Sequence, residues 1–150
     1  MPVHLKGIKF ELECSICRKI GGYMGSVNIM GNTDTLKITQ GEEDIVEYQP
    51  PLAFDKNDKP TKTCTSKRGF CKHCSSVLWN AHPEWPQWIY PSASVIDSEL
   101  PKVPDGMGYT ILRASCPDYV PTPEGFKVYD DYGPAEGIEK WHKKNGFWVD

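Results

Sequence analysis

The chain has 150 residues, 39% of them hydrophobic and 25% charged, which is material for one core and predicts a single domain over residues 1–150. A net charge of −3 excludes the broad basic field that drives nucleic-acid or anionic-membrane binding, leaving small molecules or proteins as expected partners. No apolar run approaches the roughly 20 residues of a membrane span and the start Met1-Pro2-Val3-His4-Leu5-Lys6 lacks a secretion-signal core, so a cytoplasmic protein is expected, its six cysteines thiols or metal ligands.

Thirteen prolines and thirteen glycines predict many turns and short strands. Leu5 to Leu12 alternates weakly and reads as one strand running into Cys14-Ser15-Ile16-Cys17. Gly21, Gly22 and Gly25 then make a flexible loop. Ser26 to Met30, Thr35 to Thr39 and Ile45 to Tyr48 read as three strands of a meander. From Gln49 to Thr65 the chain is polar and proline-punctuated, which predicts an exposed loop. Lys67 to Phe70 leads into Cys71-Lys72-His73-Cys74, and Ser76 to Asn80 leaves it as a strand. After the tryptophan-rich Pro83 to Trp88 come strands over Ile89 to Ile96 and Tyr109 to Ala114. A proline-rich surface wrap follows. Pro134 to Lys144 reads as a short helix with a proline in its first turn, acids early and bases late, stopped by Gly146 and docked through Ile138 and Trp141.

The two Cys-x-x-Cys pairs carry the chemistry. Each has the spacing of a zinc knuckle, a tight turn that points two sulfurs at one place, and Zn²⁺ favours four soft ligands in a tetrahedron. Cys14, Cys17, Cys71 and Cys74 therefore add up to a candidate Cys₄ site tying the start of the chain to its centre. A disulfide or redox pair, or cysteines that only fill a core, are the alternatives. Cys64 reads as an accessible bystander with some capacity to act as a spare ligand, Cys116 as a packed residue, and His73 as pointing away from a metal. His82 and His142 read as packing or solvent-facing. Arg18, Lys19, Lys67 and Arg68 flank the pairs, where they neutralise thiolates, hold a ligand carboxylate, or form a solvated basic face. Trp79, Trp85 and Trp88 either wall a pocket or pack a small core.

The chain resembles the family of glutathione-dependent formaldehyde-activating enzymes and centromere protein V. The resemblance rests on Cys14-Ser15-Ile16-Cys17-Arg18-Lys19 with its glycine-rich continuation, on Leu36-Lys37-Ile38 before Gly41 and Tyr48, and on Gly69 to Trp79 around the second pair. Trp85 to Pro91 and Ile138 to His142 also match. It implies a mainly β fold of several short coiled antiparallel sheets with zinc knuckles and a short C-terminal helix. It also implies two zinc ions, a structural one using Cys71 and Cys74 and a catalytic one using Cys14 and Cys17, with an open coordination position. The implied activity is that of a carbon–sulfur lyase on a glutathione or other thiol adduct.

Two departures stand beside the matches. Leu12 occupies a position where the resemblance calls for a third cysteine of the catalytic cluster, and no cysteine precedes Cys14 to make the early Cys-x-Cys pair. Three explanations follow: a chain whose N-terminal strands are lost, which is the favoured expectation; a rearranged single zinc on Cys14, Cys17, Cys71 and Cys74; or a divergent member binding metal weakly. The alternative function is a non-catalytic, zinc-stabilised protein-binding module.

Overall fold

The computed structural model describes residues 10–12, 14–100 and 102–148. In chain order its elements are β1 (Phe10–Leu12), α1 (Ser15–Gly21), β2 (Ser26–Asn28), β3 (Gly31–Asn32), β4 (Ile45–Tyr48), β5 (Pro51–Phe54), β6 (Pro60–Thr63), β7 (Lys67–Cys71), β8 (Val77–Ala81), β9 (Trp88–Pro91), β10 (Tyr109–Ile111), β11 (Lys127–Val128) and α2 (Ile138–Lys144). The fold is mainly β with a short C-terminal helix, as expected. Of the strand anticipated over Leu5 to Leu12, the part before Phe10 lies outside the described residues.

A five-stranded antiparallel sheet, in the order β3-β9-β8-β7-β4, holds the second cysteine pair in the turn between β7 and β8. A four-stranded sheet, β11-β10-β1-β2, corrects the expectation of antiparallel sheets throughout. There β1 and β10 run parallel, as do β10 and β11, and only β1 and β2 are antiparallel. Parallel partners so far apart in sequence leave no hairpin signature, which is why nothing near β1 announced its neighbours.

The anticipated meander is also corrected. Ser26 to Met30 is a strand only to Asn28, β3 follows at Gly31–Asn32 in a different sheet, and Thr35 to Thr39 is not a strand. Asn32 is the cause. Its side-chain oxygen accepts from the Asp34 backbone N–H at 3.1 Å, and the Thr35 hydroxyl donates to its carbonyl at 2.7 Å. Those local bonds wind Thr33–Thr35 into a 3-10 turn in place of a ladder. The anticipated loop from Gln49 to Thr65 instead contains the β5–β6 hairpin. The Asp55 carboxylate makes its turn by accepting from the N–H groups of Asn57 and Lys59 at 2.8 and 2.9 Å. Ile89 to Ile96 is a strand only to Pro91, and Tyr109 to Ala114 only to Ile111, where Leu112 adopts a left-handed backbone.

Helix α2 starts at Ile138, four residues later than its proline suggests, and stops as predicted. Gly146 has φ +74°, and the Phe147 N–H returns to the His142 carbonyl at 2.9 Å. Ile138 and Trp141 do dock it. They pack on a core of Cys17, Tyr109 and Ile111, joined by Cys14 and Tyr90. The first cysteine pair is thus built into the hydrophobic centre, between α1, β10 and α2. Among the described residues no helix is long and apolar enough to cross a membrane.

Candidate functional site

Cys14-Ser15-Ile16-Cys17 is the start of α1, not a knuckle turn leading to a loop. Cys14 caps the helix: its sulfur accepts the Cys17 backbone N–H at 3.3 Å. One turn of helix brings the two sulfurs to 3.0 Å, with Cys17 buried and Cys14 half-buried. That contact divides their proton unequally. The hydrogen bond from Cys17, helped by backbone N–H groups, lowers the Cys14 pKa to about 6 against the opposing effect of burial. The same bond, together with burial, pushes the Cys17 thiol far above its ordinary value. The pair is therefore a thiolate at Cys14 held by a thiol at Cys17.

Arg68 is the third member. Although arginine is rarely buried, this one is 7% exposed. Its guanidinium acts electrostatically on both sulfurs of the pair and lies 3.9 Å from the Cys64 sulfur, with a bond to the Ser66 carbonyl. Register explains its direction. Arg68, Asn80 and Tyr90 are cross-strand partners on β7, β8 and β9, so the three share one face of the sheet.

That face floors a cavity of about 670 Å³, reaching Asn80, His82, Trp88 and Tyr90, with Tyr132 and Ile138 on the opposite side. Tyr90 and Ile138 also pack against the core cluster of Cys17, Tyr109 and Ile111, so the cavity and the cysteine pair share these side chains, with neither sulfur in the cavity lining. The Tyr132 phenol is raised, first by burial and then by the negative charges of Asp131, Cys64, Cys14 and Cys17. It lies within electrostatic reach of all three thiols and remains a neutral hydrogen-bond donor at pH 7.

The family model for glutathione-dependent formaldehyde-activating enzymes matches residues 7–110. The chain belongs to this formaldehyde-activating enzyme family. A protein of Halomonas elongata named "Putative glutathione-dependent formaldehyde-activating enzyme" is 35% identical over 136 residues, covering 89% of this chain and 80% of the relative. A crystal structure of a Rhodobacter sphaeroides protein is 20% identical, covers 66% of this chain and 80% of its own, and superposes with a TM-score of 0.48.

Against the zinc chemistry that the family resemblance implies, each cysteine pair of this family member is half a site. Two sulfurs on a tetrahedral zinc with bonds of about 2.3 Å lie about 3.8 Å apart, so Cys14 and Cys17 would open by less than about 1 Å to share one ion. Cys71 and Cys74 sit in the β7–β8 turn, which is closed by the Ser75 N–H bonded to the Cys71 carbonyl at 2.8 Å. Cys74 is exposed, its pKa lowered by the Ser76 hydroxyl and then by Cys71. The soft donors suit zinc. Among the described residues no three His, Cys, Asp or Glu side chains are gathered for one ion, so the four sulfurs stay in two separate places.

Of the flanking bases only Arg68 enters the site. Lys67 pairs with Glu47 at 2.9 Å, and Arg18 reaches the Ser115 carbonyl at 3.2 Å. His73 turns to Asp44 at 3.0 Å, and Cys116 is buried against Arg113. Cys64, read as a bystander, stands beside Arg68 instead. Trp79 packs over Gly69, whereas Trp85 and Trp88 line the cavity. Tyr132 was not singled out by the sequence, because nothing near it in the chain marks a site.

Proposed function

We propose that this chain makes or breaks the carbon–sulfur bond of a glutathione-like thiol adduct at Cys14 and Cys17, as a zinc-dependent carbon–sulfur lyase of the cytoplasm. The observation that carries the reading is the Cys14 thiolate, held by Cys17 beside a buried Arg68. With a pKa of about 6 in the metal-free pair, Cys14 is roughly nine-tenths ionised at pH 7 and is ready to take an ion without a further base. Arg68 offsets the charge that α1 brings into the core. Tyr132 supplies a neutral O–H for the oxygen on the adduct carbon.

Cys14 and Cys17 would hold the reactive zinc, and Cys71 and Cys74 a structural one. Such an ion, when bound, lowers a thiol pKa and polarises the oxygen on the adduct carbon.

The test is carbon-13 exchange spectroscopy of glutathione with formaldehyde, with zinc-supplied protein added. Faster exchange with the wild type than with a folded Cys14→Ser variant is expected. Exchange at the protein-free rate with both would end the reading.

A second reading, a zinc-stabilised binding module without catalysis, is favoured by one feature. The β5–β6 hairpin exposes Leu52 and Phe54 at 47% and 56%. A protein partner bound there with no exchange activity would decide for it.

A further inference from the structure

Formaldehyde adds only a carbon and an oxygen to a thiol, yet the cavity of about 670 Å³ is far larger than that group needs. A tripeptide thiol, which carries an ammonium as well as amides and carboxylates, accounts for its polar lining of Ser66, Asn80, Gln87 and Lys140 with the carboxylates of Asp131, Glu136 and Glu139. It does not account for the aromatic one. Trp85, Trp88, Tyr90 and Tyr132 line the same cavity together with Met30 and Ile111. The Trp85 ring is 42% exposed, lies over His82 with centroids 4.6 Å apart, and is not buried by the core. Trp88 is anchored edge-on by Trp148 at 5.4 Å, which fixes the wall before any ligand arrives.

Position matters as much as composition. Ile111 and Tyr90 line the cavity and also belong to or pack on the core cluster that holds Cys17, so the apolar wall is shared between the cavity and the cysteine pair.

We infer that the site takes adducts carrying a bulky apolar group, aromatic by preference, and binds them more tightly than the one-carbon hydroxymethyl adduct. This rests on the proposed thiol-adduct chemistry and names its substrate class: the hemithioacetal of a glutathione-like thiol with an aromatic or long aliphatic aldehyde. Its cleavage balances without a co-reactant. The carbon–sulfur bond breaks with its electron pair going to sulfur, the adduct hydroxyl becomes the aldehyde carbonyl as its proton leaves, and one proton returns to the thiolate.

The test is calorimetric titration of the protein with two stable thioethers, S-benzylglutathione and S-methylglutathione. The benzyl compound is expected to bind roughly tenfold tighter or better, from the apolar area of its ring. Trp85→Ala should weaken the benzyl compound several-fold more than S-methylglutathione and so bring the two affinities close together. A melting curve equal to wild type shows that this half-exposed position has not cost the fold, and the wild-type comparison decides the question alone if it has. Equal affinities for the two compounds would overturn the substrate class and leave the thiol-adduct reading standing. Binding of neither would overturn both.

Discussion

The sulfurs of Cys14 and Cys17, 3.0 Å apart, share one proton, and Cys17 keeps it. The consequence is an ordering of causes at Cys14: the Cys17 hydrogen bond lowers its pKa most, and the Arg68 charge is the smallest of the lowering influences. In zinc-free protein, the rate of Cys14 alkylation by iodoacetamide should rise through a midpoint near 6. Cys17→Ala should move that midpoint well upward, and Arg68→Met should move it by less. The reverse order would mean that the guanidinium, not the thiol pair, makes the nucleophile.

Gly69 predicts a packing defect that a double variant repairs. A side chain there would meet the Trp79 ring at 2.6 Å, closer than any carbon contact allows. Trp79 shares no face with the cavity residue Asn80 beside it, because β8 alternates. Gly69→Ala should therefore cost about 1–3 kcal/mol in urea unfolding, and much of the loss should disappear when Trp79→Leu is added. Strict additivity of the two would show that the ring moves aside freely.

What the sequence made legible was local. The β7–β8 hairpin around Cys71 and Cys74, strand β4 and the stop of α2 at Gly146 each carry their cause within a few residues. The site was half-legible. Cys14 and Cys17 announce themselves by spacing, but the helix they start depends on a sulfur acting as a cap, a role that no propensity assigns to cysteine. Arg68 is one of four bases near the pairs, and only the cross-strand register with Asn80 and Tyr90 separates it from Lys67, which faces Glu47. Tyr132 reaches the thiols through tertiary packing alone. The parallel pairing of β1 with β10, nearly a hundred residues on, has no local signal at all.

His142 should make the fold acid-sensitive. It is 1% exposed, and its Nδ1 hydrogen-bonds the Ile138 carbonyl at 2.7 Å, so Nδ1 carries the proton and Nε2 is bare. Among the described residues Nε2 has no partner. Burial lowers the pKa below 6.5. Because the unfolded chain then binds the proton more readily, the histidine's contribution is fully present above about pH 6.5 and is lost as pH falls toward the lowered folded value. Melting temperatures of the wild type and of His142→Leu, compared from pH 8 to 4.5, should diverge in slope only below about pH 6.5. Parallel curves would mean that His142 titrates normally.

The separation of the two cysteine pairs makes zinc a test of both. Cys71 and Cys74 close the turn of the five-stranded sheet, whereas Cys14 and Cys17 sit at the head of α1 with the cavity beside them. If each pair takes its own ion, elemental analysis of zinc-supplied protein gives two per chain. Cys71→Ser should then lower the melting temperature by about 10 °C and abolish the further loss on chelation, because a structural ion contributes its binding energy to folding. Cys14→Ser should remove one zinc and leave the melt nearly unchanged, since Cys14 is a half-buried cap on a seven-residue helix and serine caps as well. One zinc per chain, with both variants unfolding alike, would instead mean a shared ion, and the two half-sites would have to close on each other when it binds.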